Sequence, residues 1–353
     1  MLSVCGRASC DPAGLLRLIA LLLQVAWVYL LIINERFNWF RIVVGIVSVQ
    51  ASVAVVQFVT QGDLGLRLLG EPALNPAESG ISIVMRDGER WLRGYGLTTH
   101  PNTLVRILLP CFFLLLIAMR QRPSRLYQVV GAAALALAYA GTLTTLSRWG
   151  ALCLLLGLAI AWLPAVVDIR HKTRSPVPGK WIGIILPILL ITVVFIGEYG
   201  NTITGRVVNL DTPTEQLSIW ERQRDTTIGL DLFQRNLLWG IGFGQYAEMA
   251  RSEDVWAEIV HSVPLLWGVE LGIVGLLLWC VLLVAPIIRP GLLGRYSFHT
   301  GLWLSFWLLG LLDTKPNPLV DVRSALLTGF VAAVAALGFY EDRARSTVGS
   351  NAN

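Results

Sequence analysis

The chain has 353 residues, of which 55% are hydrophobic and 14% charged, with a formal net charge of +5 and a pI near 9.1. Runs such as 181–196 and 263–288 are apolar on all faces rather than on one helical face, which excludes an ordinary water-soluble domain. The basic excess lies between such runs, so membrane topology accounts for it and no nucleic-acid partner is expected.

A hydrocarbon core about 30 Å thick must be crossed by segments that satisfy their own backbone, so the expected fold is all-α, a polytopic transmembrane helical bundle embedded in membrane lipids. About nine spans can be drawn, at 14–33, 42–60, 100–119, 126–144, 150–167, 181–197, 263–287, 296–312 and 323–340. Met1–Pro12 has neither a basic segment leading an apolar stretch nor a small-residue cleavage site, so the expectation is either that native helices upstream of it are missing or that its start is assigned too late. Cys5 and Cys10 are free to pair outside the cytoplasm, whereas Cys111, Cys153 and Cys280 sit inside apolar runs and read as small core or lipid-facing residues.

The connections holding Arg36 and Arg41, then Arg120, Arg122 and Arg125, then Arg170, Lys172, Arg174 and Lys180, then Arg289 and Arg295, all fall on one side with Arg343 and Arg345 of the tail. By the positive-inside rule that side is cytoplasmic. The chain then divides into amino-terminal transmembrane helices (1–197) with a periplasmic loop at 61–99, a large partly helical periplasmic catalytic loop (198–262), carboxy-terminal transmembrane helices (263–340) and a cytoplasmic tail (341–353). The loop at 61–99 is rich in Gly, Pro and balanced charge and reads as a solvated connection. It ends in His100-Pro101-Asn102, where Pro101 signals the first turn of a helix. Arg106 lies inside the third span and is costly there unless it faces a polar cavity. Ser147-Arg148 marks an outer turn from which Arg148 either snorkels or reaches inward to an anion. The tail beyond Tyr340 is polar and expected to be disordered.

The segment 198–262 carries ten carboxylates against five arginines, so its arginines are not a general basic surface. Arg206, Arg222 and Arg224 precede Gly240-Ile241-Gly242-Phe243-Gly244, which no βαβ pattern surrounds and which therefore reads as a turn rather than a nucleotide loop. His261 follows where the chain re-enters the bilayer. Histidine titrates near neutrality and is able to take a proton from a hydroxyl nucleophile. Arginine offers a permanent charge and a planar fork for phosphate oxygens, as a pyrophosphate leaving group requires. One histidine among arginines at an outer surface, where no ATP is available, points to group transfer from a lipid pyrophosphate. Asp313 and Asp321 lack His or Cys company, and no metal or cofactor is expected. A transporter of lipid-linked sugars would instead line the membrane centre with charge, where Arg106 is the clearest charged residue.

These residues resemble bacterial O-antigen ligases and the related polysaccharide polymerases and O-oligosaccharyltransferases. The shared pattern is an Arg-x3-Leu element, here Arg206 to Leu210, and a His-x10-Gly element, here His261 to Gly272, in a large outer loop. Also similar are His100-Pro101-Asn102, Ser147-Arg148, and Trp220-Glu221-Arg222 leading to Leu237-Leu238-Trp239-Gly240-Ile241-Gly242-Phe243-Gly244, so the likeness covers roughly 94–290. Ser262 stands where the family commonly has asparagine, and the spans are fewer than the family's usual number. The resemblance implies a metal-independent inner-membrane glycosyltransferase whose donor is an undecaprenyl-pyrophosphate-linked glycan. Its acceptor would be a lipid A core in a ligase or a growing glycan in a polymerase, with ligation slightly preferred. It implies His261 and Arg206 as catalytic residues, with pyrophosphate held by Arg206 and Arg222 and by Arg148 and Arg224 as secondary ligands.

Overall fold

The computed structural model describes residues 12–34, 38–121, 124–170, 182–208, 213–288, 297–313 and 322–350. In chain order these form α1 (Pro12–Asn34), α2 (Trp39–Thr60), a hairpin of β1 (Ile83–Arg86) and β2 (Glu89–Leu92), α3 (Pro101–Gln121), α4 (Arg125–Thr144), α5 (Arg148–Arg170) and α6 (Ile182–Val208). There follow α7 (Pro213–Arg235), α8 (Tyr246–Glu253), α9 (Val263–Ile288), α10 (Ser297–Leu309) and α11 (Val322–Ser350). The fold is an all-α, multi-pass membrane architecture. Among the described residues, six helices are long and apolar enough to cross a membrane, and 148–162 and 322–336 are shorter apolar stretches.

The chain separates into two compact units. One holds α2–α6, the hairpin and residues 293–305. Its centre is α3, whose residues from Leu108 to Met119 are all buried, as expected of a helix without a polar face. Small residues let neighbours approach closely: a side chain at Gly141 would meet Ala51 at 2.7 Å and Leu108 at 2.9 Å, and one at Gly131 would meet Met119 at 2.6 Å. Gln57 of α2 is fully buried and fully bonded, donating to Glu71 Oε1 (2.7 Å) and Gly96 O (3.0 Å) and accepting from the N–H groups of Tyr95 (3.1 Å) and Gly96 (2.8 Å).

Residues 61–91 are largely exposed, as their composition implies, but they carry a small hairpin that it does not announce. Asp87 and Gly88 adopt positive φ (51° and 86°) and turn β1 back onto β2, the signature of a tight hairpin turn. The Arg86 guanidinium lies 4.6 Å from the Trp91 ring and 4.7 Å from the Tyr199 ring, and it pairs with Glu198 at 2.8 Å. The hairpin is thereby fastened to the carboxy-terminal part of α6. Residues from Leu92 to Gly96 are buried.

Two other expectations change. The helix expected to end at 197 runs through Val208, because nothing from Glu198 to Val208 interrupts it, and the expected loop loses its first eleven residues to α6. The tail expected to be disordered continues α11 to Ser350. Cys5, Cys10, Leu210 and Asp321 lie outside the described residues, as do the side chain of Arg206 and the basic residues Arg36, Arg122, Lys172, Arg174, Lys180, Arg289 and Arg295.

The second unit holds residues 1–36, 211–292 and 306–353. Within it α1 packs along α11, closely enough that a side chain at Gly329 would meet the Val25 carbonyl oxygen at 2.5 Å. Its other part, built from α7, α8 and α9, carries His261.

Candidate functional site

The polar sequence of α7 hides one apolar stripe. Ile228 and Leu232, four residues apart, and the adjacent Phe233 meet Leu265, Leu266 and Val269 of α9, together with Tyr246, Ala250, Ala257 and Val260. Full burial of a leucine such as Leu232 is worth about 1.5–3 kcal/mol, enough to set the helix in place.

The α9 helix is not one uninterrupted rod. Gly272 adopts φ 71°, ψ −162°, a conformation essentially confined to glycine, and breaks the helix after one half. The break leaves backbone groups without helical partners, and the glycine turn supplies them. Ile241 N–H donates to Val269 O (2.8 Å), Gly242 N–H to Glu270 O (3.1 Å), and Ile273 N–H to Leu237 O (2.8 Å). Gly240, Gly242 and Gly244 all have positive φ. A side chain at Gly240 would come within 2.5 Å of the Glu270 carbonyl carbon, so bare backbone is required on both sides of this joint. The Gly-x-Gly-x-Gly run is a turn, as the sequence implied, and its role is to dock on the broken helix.

The side chain of Glu270 serves the same joint. Only 8% exposed, it accepts from Tyr246 N–H at 3.4 Å and from Gly244 N–H, placing a hydrogen-bond acceptor at the start of α8. No sequence signal singled it out.

His261 is held between anchored neighbours. Val260 and Val263 are buried, Val263 N–H donates to Gly310 O (2.7 Å), and Asp254 turns the preceding segment by accepting from Trp256 N–H (2.8 Å). Ser262 provides the carbonyl that receives the first helical bond of α9, from Leu266 (2.9 Å). The His261 side chain is half-buried, and its Nδ1 is buried without a hydrogen-bond partner among the described residues. Burial pushes the imidazole below its usual range, the positive charge of Arg222 adds to this, and Asp313, Asp225 and Glu258 oppose it. The net result is an imidazole that stays neutral at neutral pH and is free to accept a proton.

Arg222 is exposed, one α7 turn before Asp225, and lines a groove with Ile219, Gln223, Thr226 and Thr227. Arg224 is differently placed. Its Nη2 and Nε contact Asp225 Oδ1 at 2.9 and 3.1 Å, its Nε lies 3.8 Å from Asp254, and its guanidinium sits 5.2 Å from the Trp220 ring. These interactions commit Arg224 to the scaffold.

Arg148 and Arg206 belong to the α2–α6 unit. Arg148 opens α5 after a turn in which Leu146 has φ 47° and Ser147 Oγ accepts from Gly150 N–H (3.2 Å). That turn is pinned by the segment that follows β2: Arg93 Nε donates to Thr145 O (2.6 Å) and Gly94 N–H to Thr144 O (2.9 Å). Arg93 also donates to Ser82 Oγ (2.7 Å) and to Asn102 Oδ1 (3.2 Å). His100 caps α3, its Nδ1 accepting from Asn102 N–H at 3.1 Å, and Pro101 is the first helical residue as its sequence position implied. Arg106 is buried within α3. Arg206 stands near the end of α6, and only its backbone is described. The structure thus gathers His261, Arg222 and Arg224 with Asp225, Glu258 and Asp313, three carboxylates that sequence reasoning did not assign to the site.

Residues 132–280 match the family model described as O-antigen ligase. The match takes in Arg148, Arg206, Arg222, Arg224, His261 and the Gly272 break. None of the curated proteins matches the chain.

Proposed function

From the match of residues 132–280 to the O-antigen ligase model we propose that this multi-pass membrane protein is a glycosyltransferase that moves a glycan from an undecaprenyl-pyrophosphate donor to an acceptor hydroxyl at the periplasmic face of the inner membrane. The acceptor in this reading is lipid A core. The observation that carries it is the pairing of a neutral, half-buried His261 with the charge of Arg222 within electrostatic reach.

The chemistry follows from that pairing. His261 takes the proton of the acceptor hydroxyl as its oxygen attacks the anomeric carbon. The bond from that carbon to the pyrophosphate oxygen breaks, and its electron pair leaves with the pyrophosphate. Arg222 meets the charge that develops there. Arg224 is the lesser of the two α7 arginines, because Asp225 already holds it.

The test is transfer by the purified protein in lipid vesicles, supplied with the lipid-pyrophosphate glycan and lipid A core. Lipopolysaccharide banding of a deletion strain separates the acceptors. A ladder lost altogether supports ligation, whereas core carrying a single repeat unit shows a ligase still at work and assigns polymerisation to this chain.

Two further outcomes are expected. An alkaline phosphatase fusion near Asp231 should be active and one near Lys172 inactive, since the basic connections face the cytoplasm; the reverse pattern would overturn the orientation. Arg222→Lys should restore little of the activity lost in Arg222→Ala, because lysine supplies charge without the planar fork. Losing one charge-assisted contact costs about 1.5–3 kcal/mol, or roughly tenfold to more than a hundredfold in rate. Full turnover in both variants would remove Arg222 from the donor site.

A further inference from the structure

Asp225 is the least expected residue in α7. It is 1% exposed, although it occurs in a helix whose sequence reads as solvated. A carboxylate so deeply buried is costly unless its oxygens are bonded. Only one of them is: Oδ1 accepts from Arg224 and from Glu258 N–H (3.3 Å), while Oδ2 is buried with no hydrogen-bond partner among the described residues.

The backbone of Asp225 is tied to the same segment a second time. Tyr246 Oη donates to Asp225 O (3.1 Å), and Val260 N–H is directed at that phenol oxygen. Asp225 is thereby stitched to residues 258 and 260, the two positions that lead into His261. At the end of this path His261 Nδ1 is the complementary orphan, a buried ring nitrogen that also lacks a partner. For Nε2 to accept a proton, Nδ1 must carry one and is then a donor in need of an acceptor.

We propose that Asp225 is the positioning residue of His261, its Oδ2 accepting the hydrogen bond from Nδ1–H when the site is occupied by substrate. This rests on the reading of His261 as the base. Asp225 takes no proton itself. It fixes the tautomer that presents Nε2 to the acceptor hydroxyl, and its negative charge steadies the imidazolium formed when that proton is taken, in the way a buried carboxylate orients a catalytic histidine elsewhere. Arg224 keeps Oδ1 occupied, which leaves Oδ2 for the ring.

The charged groups around His261 are Arg222 and Asp225 from α7, Glu258 from the preceding segment, and Asp313. Of the three carboxylates, Asp225 alone has a buried orphan oxygen among the described residues. The discriminating variant is therefore Asp225→Asn, which keeps an acceptor for Glu258 N–H and Arg224 but loses the charge.

Two readouts are taken on the full-length protein in detergent or vesicles. The first is the pH dependence of His261 carbethoxylation by diethyl pyrocarbonate, followed at the peptide level by mass spectrometry, which does not depend on any assumed activity. The second is glycan transfer with its kcat and KM for the donor. In Asp225→Asn the midpoint of His261 modification should move to lower pH, because a charge that favours imidazolium has gone. The kcat should fall by about 10²-fold or more at nearly unchanged donor KM, and Asp225→Glu should recover part of both. An unmoved midpoint together with parental kcat would overturn the proposal. If Asp225→Asn fails to accumulate, Asp225→Glu and Glu258→Gln supply the comparison: a larger midpoint shift from the Glu258 change than from the Asp225 change also overturns it. If His261→Ala keeps full transfer while the Asp225→Asn midpoint still shifts, the contact stands and the base assignment falls, so the two failures are told apart.

Discussion

His261→Ala is expected to insert and accumulate like the parent, to retain the lipid-pyrophosphate donor, and to lose transfer by about 10²–10⁴-fold. The structural cost should be about a kcal/mol or less, since the side chain is half-buried and its Nδ1 makes no hydrogen bond that the substitution would break. The pH profile distinguishes a base from a packing residue. Burial first, then Arg222, hold the imidazole below its usual value of about 6.5. The rate should therefore be flat at neutral pH and fall only as pH drops through that lowered value, and the residual rate of His261→Ala should lack this acidic limb. The same shift has a stability counterpart. The folded state holds the neutral ring more readily than the unfolded chain does, so this contribution is present above about pH 6.5 and is lost as pH falls toward the folded-state value. His100→Asn is the control, because it removes another imidazole and retains a cap for α3. A purified His261→Ala protein with near-parental turnover would assign the chemistry to positioning by the arginines.

Gly272→Ala should have the larger effect on folding. A Cβ there would strike the Leu238 carbonyl oxygen, lie 2.6 Å from its carbon and 2.8 Å from Trp239 N, and force an L-residue into φ 71°, ψ −162°. Strain of about 1–3 kcal/mol combines with overpacking of similar size, for roughly 2–6 kcal/mol in all. That is a large share of the stability of an ordinary domain. Gly197→Ala in α6 is the matched control, since a Cβ there meets nothing within 4 Å and an alanine favours the helix. Monodisperse yield and thermal unfolding in detergent read the difference. Equal melting of Gly272→Ala and Gly197→Ala would show that the joint between the glycine turn and α9 tolerates movement.

Much of this architecture was legible because hydrophobic run length is a strong signal. The ten residues between His261 and Gly272 were visible as a spacing, and the structure gives that spacing a cause: one half-helix, then a residue that only glycine satisfies. The Asp87-Gly88 turn was equally present in the sequence, but Pro- and Gly-rich surroundings masked two four-residue strands. What no local pattern carries is burial of charge by distant partners. Asp225 and Glu270 are ordinary acids in sequence, and they are identified only when Glu258, Tyr246 and Gly244 arrive from elsewhere in the chain. Arg224 was hidden for a related reason. Adjacent residues on a helix do not normally face each other, so its bond to Asp225 has no signature in spacing.

The satisfied break at Gly272 also bears on the surroundings that α9 tolerates. Unbonded peptide groups cannot sit in hydrocarbon, where each costs several kcal/mol, so an interrupted span ordinarily has to open onto water. Here Leu237, Ile241 and Gly242 close the account from within the protein, and the side chains of Leu237, Leu238 and Trp239 on that same turn are 47%, 63% and 52% exposed. Greasy, outward-facing and capped by an indole, this turn has the composition of an interfacial anchor. The joint between this turn and α9 thus carries no requirement for water at the break.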